Sequence, residues 1–409
     1  MKWAIFIPTF LPEKVGGNII YVYWFATYLV KRGHEVHIFT SSRDNDLKVY
    51  EEKNGFTIHR ILVSRGSAGS LRFSTTRKIT KKFIEIDDKI KFNILNPHAA
   101  FQLKYSVIRK DIYVLHTLHA ALIYEYLFLL KKIIFSSKWS KEDIKDFMIF
   151  PVKLTVMYIR ENLALSNAKL ILVMSEYVKK TLMSFFPWIN PEKVFVSKIG
   201  IDLKKFLPSK DKIKIRKFLN ILDDEVVFFT ARRLVCRMGL ENLIKSFAIV
   251  CKDNLDSKKL SLLIAGKGPL LAKLEELIGK LNLHKNIKLL GFVTDEDLIN
   301  YYQAADAFIL PTEELEGFGI VTLEALSCNL PVIATPAGAN PEVAGRFCPE
   351  LISSDVGAEA MSEKIFYFLA NISNYDNKNY RKLLEKEYKW DEIIFEIEKN
   401  IKKHNRVYD

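Results

Sequence analysis

Short apolar runs recur along this chain, most ending in small or polar residues and many followed by a stretch of helical spacing. Residues 2–8 form the first run. Gly16-Gly17 comes next, then a helical stretch over about 19–31 that Gly33 stops. Runs at 36–40, 93–96, 112–117 and 170–175 repeat the pattern. Unbroken apolar strands alternating with helices predict a parallel sheet covered on both faces. The rhythm restarts at 226–230, passes through an amphipathic helix at 240–251, and continues at 260–265, 287–290, 307–310 and 331–335. The fold class is therefore α/β, in two domains, as 409 residues also suggest. Gly200-Ile-Asp202, Phe206-Leu-Pro208 and the charged run 209–217 lie between the halves, which sets the boundary near 207. The expected domains are 1–207 and 208–380, with a charged helical tail at 381–409 anchored by Trp390. Apolar parallel strands with polar ends feed a binding crevice at the carboxyl edge of the sheet.

Composition narrows the class. Apolar residues make up 49% and charged residues 27%, which excludes a wholly disordered or collagen-like chain. No stretch of about 18 uncharged apolar residues occurs, which argues against an integral membrane protein. The best candidate, 120–130, is broken by Glu125 and closed by Lys131 and Lys132. Cys236, Cys251, Cys328 and Cys348 form no CxxC pair and are expected to be buried, reduced thiols of a cytosolic protein. The N-terminus lacks a basic leader and carries Pro8 and Pro12, so it is expected to be a buried strand and not a signal peptide.

Charge is uneven. Of the net +13, residues 1–200 hold 31 Lys or Arg against 17 Asp or Glu, while the remainder hold 30 against 31. A half carrying +14 can meet nucleic acid, anionic lipid or phosphorylated substrates. No zinc finger, helix-turn-helix or RNP-like motif is present, so no nucleic-acid partner is expected. Segment 122–135 mixes Leu, Ile, aromatics and lysines as interfacial helices do, and equally as a core helix with a solvated basic end would. An anionic membrane surface is thus an expected partner of the N-terminal half.

The most informative stretch is Pro311-Thr-Glu-Glu-Leu-Glu316-Gly-Phe-Gly319-Ile-Val-Thr-Leu-Glu324-Ala-Leu. A strand ends at Pro311, a loop carries Gly317 and Gly319, and a helix starts near Ile320. Backbone N–H groups at that start make an anion site, and Gly319 permits close approach. Glu316 and Glu324 flank it. Acids beside an anion site suit a ligand that also has hydroxyls, because carboxylates accept hydrogen bonds from sugar and ribose.

With these residues the chain resembles the retaining glycosyltransferases of family 4. The resemblance implies the GT-B fold, two Rossmann-like α/β domains facing a central cleft. Glu316 and Glu324 match the family's Glu-x7-Glu signature, which makes Glu316 a contact to the donor sugar and Glu324 a contact to the nucleotide ribose. Gly317, Phe318, Gly319, Ile320 and Val321 lie between them in the donor loop. Pro8-Thr-Phe with Gly16-Gly17-Asn18 resembles the N-terminal glycine loop, so Gly17 is a donor-phosphate candidate. Gly266, Gly268 and Pro269 resemble the turn near the base. The 331–342 segment, the Gly200-Ile-Asp202 turn and Trp390 also match, so the resemblance spans nearly the whole chain. Arg32-Gly-His34 matches an architectural segment.

One motif departs from the family. The usual Gly-Arg-Leu-x3-Lys-Gly reads here Ala231-Arg232-Arg233-Leu234-Val-Cys-Arg237-Met238-Gly239. Aligned on Leu234 and Gly239, Arg233 is the arginine and Met238 replaces the lysine. Shifted by one, Arg232 and Arg237 keep the spacing. Arg233 and Arg237 are the chosen diphosphate ligands, with Arg232 in reserve. His119 resembles the family's histidine at the donor sugar, while His98 and His116 are structural or acceptor-side candidates. His116 and His119 as a metal pair lack a suitably spaced third ligand. Asp44-Asn-Asp46 reads as a turn.

The resemblance implies a metal-independent hexosyltransferase that moves a sugar from a nucleoside diphosphate sugar, UDP or GDP, to an acceptor hydroxyl with retention. The acceptor is expected to be a glycan or lipid-linked glycan, met in the cytoplasm or on the cytoplasmic face of a membrane. No cofactor is expected. A nucleotide-sugar-binding protein with little transfer activity, or a GT-B phosphorylase or epimerase, are the alternatives.

Overall fold

The computed structural model describes residues 1–13, 16–63, 73–98, 103–104, 107–120, 123–124, 127–128, 130, 134, 141–253, 259–375 and 378–404. Segment 122–135 therefore lies largely outside the described residues. The chain folds as two compact units. One is Met1–Ile199 with Trp390–Asp409, and the other is Gly200–Lys389.

The N-terminal unit is built on β1 (Lys2–Phe6), β2 (Glu35–Ser42), β3 (Tyr50–Lys53), β4 (Phe56–Leu62), β5 (Ile94–Pro97), β6 (Tyr113–Leu118), β7 (Leu170–Val173) and β8 (Val194–Val196). They lie in the order β3-β4-β2-β1-β5-β6-β7-β8. All described pairings are parallel except β3 with β4. Strand β1 is central, and Trp3, Ala4, Ile5 and Phe6 are fully buried, which is why its sequence shows no polar alternation. Phe6 packs with Phe39, Phe83 and Leu95 in one core cluster. Leu118, Ile171, Leu182 and Phe186 form another.

The family resemblance is thin over about 41–92, and β3 and β4 fall inside that stretch. They form a hairpin in which Lys53 pairs with Phe56. Asn54 and Gly55 both take positive φ, 50° and 82°, as a two-residue turn of this hand requires.

The C-terminal unit carries β9 (Glu225–Ala231), β10 (Lys259–Ala265), β11 (Ile287–Gly291), β12 (Ala307–Leu310) and β13 (Val332–Ala334). Their order is β11-β10-β9-β12-β13, all parallel. The strand order reverses between β9 and β12. A chain running outward in both directions from such a pair leaves a crevice at its carboxyl ends.

The units divide at Ile199 and Lys389, against the expected 207 and 381. Hydrogen bonds explain the shift. Arg381 donates to the carbonyls of Phe206 at 2.7 Å and Leu203 at 2.6 Å, and Ile201 N donates to Tyr388 O at 3.0 Å. These hold 200–208 and the Tyr380–Glu387 helix in the C-terminal unit. The expected continuous tail helix breaks at 388–389, and a second helix, Trp390–His404, belongs to the N-terminal unit. There Trp390 packs on Tyr21 and Tyr28, and Arg32 pairs with Glu398 at 2.7 Å. His34 bonds the same carboxylate at 2.5 Å, in keeping with an architectural role.

Candidate active site

The β9–β12 reversal brings two loops together. The β9 loop begins at Arg232, whose amide donates to Ala265 O at 2.9 Å and so extends the ladder one step past the strand. Beyond β12 the chain runs through Pro311 and Thr312 to Gly319, and the Ile320–Ser327 helix starts there.

Arg232 is the residue the sheet aims inward. Its side chain is almost fully buried, and Nη2 donates to Glu316 Oε2 in a short ion pair. Thr312 Oγ1 donates to the same oxygen at 3.0 Å. Burial pushes the Glu316 carboxyl up, but Arg232, Arg237 and Thr312 outweigh it and hold it below the ordinary carboxylate range. Arg232 Nη1 is also buried, and it has no hydrogen-bond partner among the described residues. Arg237 approaches the same loop, Nη1 donating to Leu315 O at 3.2 Å. Leu315 holds φ at 65°, an uncommon conformation for a non-glycine residue that this loop imposes.

The structure thus brings together Arg232, Arg237 and Glu316, the pair of arginines with the five-residue spacing. Arg233 points to solvent. Met238, which stands where the family pattern has its lysine, is buried in the core.

Gly266 lies on the floor of the Arg232 loop. At φ 145° a Cβ there would fall 1.7 Å from Arg232 O, so only glycine lets the two loops close. Gly268 is also close-packed, a Cβ there falling 2.3 Å from Leu234 O. Gly338 supports Glu316 from behind, where a Cβ would lie 2.3 Å from the Glu316 carbonyl, and Ala339 N donates to that carbonyl at 2.8 Å. Gly319 caps the helix at φ 77°, and Ile320 and Val321 form its half-buried first turn. Gly317 is half-buried, and Phe318 is buried with its ring 6.4 Å from Tyr388.

Glu324 sits one turn into the helix and takes a different partner, Tyr302, whose hydroxyl donates to Oε2 at 2.8 Å. Burial raises this carboxyl to about 7, against the pull of Tyr302 and Lys205 and with help from Asp295. Sequence reasoning missed both Thr312 and Tyr302. Thr312 could have been found as the first polar residue past β12. Tyr302 lies on another helix and carries no local signal.

The remaining candidates are in the N-terminal unit. Gly17 is exposed and opens the Gly17–Lys31 helix. His119 follows β6, and its Nε2 lies 2.8 Å from His98 Nδ1. His98 Nε2 in turn lies 2.9 Å from Asn96 Oδ1. Asn96 spends its amide on Leu115 O and Thr117 Oγ1, so its oxygen must accept from His98. Burial holds all three histidines neutral, with His116 and His119 down to about 4 and His98 well below its ordinary value. A neutral His98 that donates through Nε2 accepts at Nδ1, and His119 therefore donates through Nε2. His119 keeps Nδ1 as an acceptor. His116 is fully buried, with no hydrogen-bond partner among the described residues. The Asp44-Asn-Asp46 segment is a turn, Asp46 N donating to Asp44 Oδ1 at 2.9 Å. Among the described residues no three His, Cys, Asp or Glu side chains cluster to hold a metal.

Comparison with known proteins gives the family. The family model for glycosyl transferases group 1 matches residues 211–390, and that for glycosyltransferase family 4 matches 15–205. An uncharacterized glycosyltransferase of Methanocaldococcus jannaschii is 28% identical over 84% of this chain and 82% of its own. The alpha-monoglucosyldiacylglycerol synthase of Streptococcus pneumoniae is 26% identical over 82% of this chain and 71% of its own. The Anabaena protein HepE, solved with UDP and glucose, superposes with a TM-score of 0.71 at 15% identity, over 98% of this chain and all of that one, which shows the fold. Both halves of the chain are thus accounted for, and the chain belongs to the group 1 glycosyltransferases of family 4 type, with the GT-B fold.

Proposed function

We propose that this glycosyltransferase moves a hexose from a nucleoside diphosphate sugar to a hydroxyl of a lipid-linked or other glycan acceptor, with retention of configuration and without a metal ion. The observation that carries the donor reading is the buried Arg232 guanidinium, which spends Nη2 on Glu316, just before a helix start, and whose Nη1 has no hydrogen-bond partner among the described residues. A diphosphate meets that need, with Arg237 as the second cation. Charge develops on the leaving phosphate as the glycosidic bond breaks, and fixed guanidinium and amide dipoles stabilise it without reorganising. Ionised Glu316 would accept from sugar hydroxyls, Glu324 from the ribose, and His119 Nδ1 from a further sugar hydroxyl. The departing phosphate would take the acceptor proton, giving attack on the same face.

Two likenesses support the substrates. HepE is described with UDP, and the pneumococcal relative is named for a glycolipid product. Calorimetric titration of UDP, GDP, ADP and dTDP tests the donor site, in EDTA as well as in plain buffer. One nucleotide should bind, equally well with EDTA, and Arg232→Lys should weaken it about 10- to 100-fold, the loss expected of a buried charge-assisted hydrogen bond. No binding, or an Arg232→Lys variant equal to wild type, overturns the reading. Binding that vanishes in EDTA overturns its metal-independent part.

A further inference from the structure

The helix Lys141–Asn167 is apolar on two faces. One is spent on the core through Phe150, Met157, Ala164 and Leu165. The other carries Met148, Val152, Val156, Ile159 and Leu163, each between 36% and 75% exposed. Their spacing of four, four, three and four residues keeps them on one stripe along four turns. A surface helix ordinarily sets charges opposite its buried face. Single exposed apolar residues need no explanation, but a contiguous stripe does. Trp188, half-exposed, lies on the same unit, meeting Phe186 edge-on where Phe186 stacks on Tyr158 of this helix.

Charge says what covers the stripe. Residues 1–200, which carry the stripe, hold 31 Lys or Arg against 17 acids, and 141–199 hold nine against six, one of the six, Glu161, being buried. A second copy of this chain would bring two basic surfaces together. An anionic bilayer offers acyl chains to the stripe and headgroups to the lysines. No described helix is long and apolar enough to cross a membrane.

We propose that the exposed apolar face of this helix docks the N-terminal unit on anionic lipid. The purpose of such docking rests on the lipid-linked acceptor reading, whereas the docking itself is measured apart from nucleotide binding.

The test is co-sedimentation of the full chain with vesicles of phosphatidylcholine, alone or with phosphatidylglycerol added, at low and high salt. Two triple variants are compared with wild type: Val152→Ser, Ile159→Ser, Leu163→Ser, and the same three positions changed to Glu. These positions are exposed, so both variants should melt and titrate nucleotide as wild type does. Wild type should sediment with the phosphatidylglycerol vesicles, less so in high salt. Both variants should bind at least about tenfold more weakly, as loss of three interfacial apolar side chains implies. Failure of wild type to sediment overturns the proposal, as does unchanged binding in either variant. Self-association in ultracentrifugation that the Ser variant abolishes, without vesicle binding, assigns the stripe to a second copy and overturns it too. Vesicle binding without nucleotide binding would leave this proposal standing and the donor reading fallen.

Discussion

Glu316 and Glu324 lie eight residues apart, and the fold drives their carboxyls in opposite directions. Both are desolvated, but Arg232 and Arg237 reach the first and, among the described residues, a neutral tyrosine bonds the second. This difference has a measurable sign. Glu324 titrates near 7, and the ionised form accepts from ribose hydroxyls more strongly. Nucleotide affinity should therefore rise by up to about tenfold from pH 6 to pH 8 and level off above, an amount one proton can couple. Calorimetry across that range checks it, and Glu324→Gln should flatten the curve. Stability runs the other way. Folded Glu324 holds a proton that an unfolded glutamate releases above 4.5, so its contribution falls as pH rises from there to about 7 and is constant beyond.

The hairpin of β3 and β4 shows how an element can be legible in its turn and hidden in its strands. Asn54-Gly55 is a strong hairpin signal, but Tyr50-Glu-Glu-Lys53 lies at the sheet edge and is mostly polar. Gly55 also carries a packing constraint, because a Cβ there would lie 2.6 Å from Val30 Cγ1. Gly55→Ala should cost about 1–3 kcal/mol, combining positive-φ strain with that clash. Urea denaturation measures it, and a loss under a few tenths of a kcal/mol would show that the turn relaxes freely. The choice between Arg232 and Arg233 is likewise a matter of register. Successive residues leaving a strand point to opposite sides, so one residue of β9 decides which guanidinium is buried.

In the whole molecule, the Trp390–His404 helix joins a unit whose other described residues all lie before residue 200. Trp390 is 1% exposed, and its ring packs against Tyr21 and Tyr28. Trp390→Ala should destabilise by about 3–5 kcal/mol, the usual cost of emptying a buried aromatic site. Trp390→Phe should recover a good part of it. Chemical denaturation checks both, and a Trp390→Ala variant as stable as wild type would remove this helix from the core of the N-terminal unit.

The sequence by itself determined the α/β class twice over, the strands of both sheets apart from β3, β4 and β8, and the loop that carries Glu316 and Glu324. All of these are written in near neighbours: apolar runs, glycine turns and a signature within nine residues. What only the tertiary structure decided joins residues far apart. Arg232 meets Glu316 across 84 positions, His98 meets His119 across 21, and Tyr302 meets Glu324 from another helix. Periodicity tells whether a face is apolar but not which face the fold covers. The Lys141–Asn167 helix could be seen to leave a stripe bare only once its other side was packed. Strand order and register set those pairings, and both follow from the balance of burial over the whole chain.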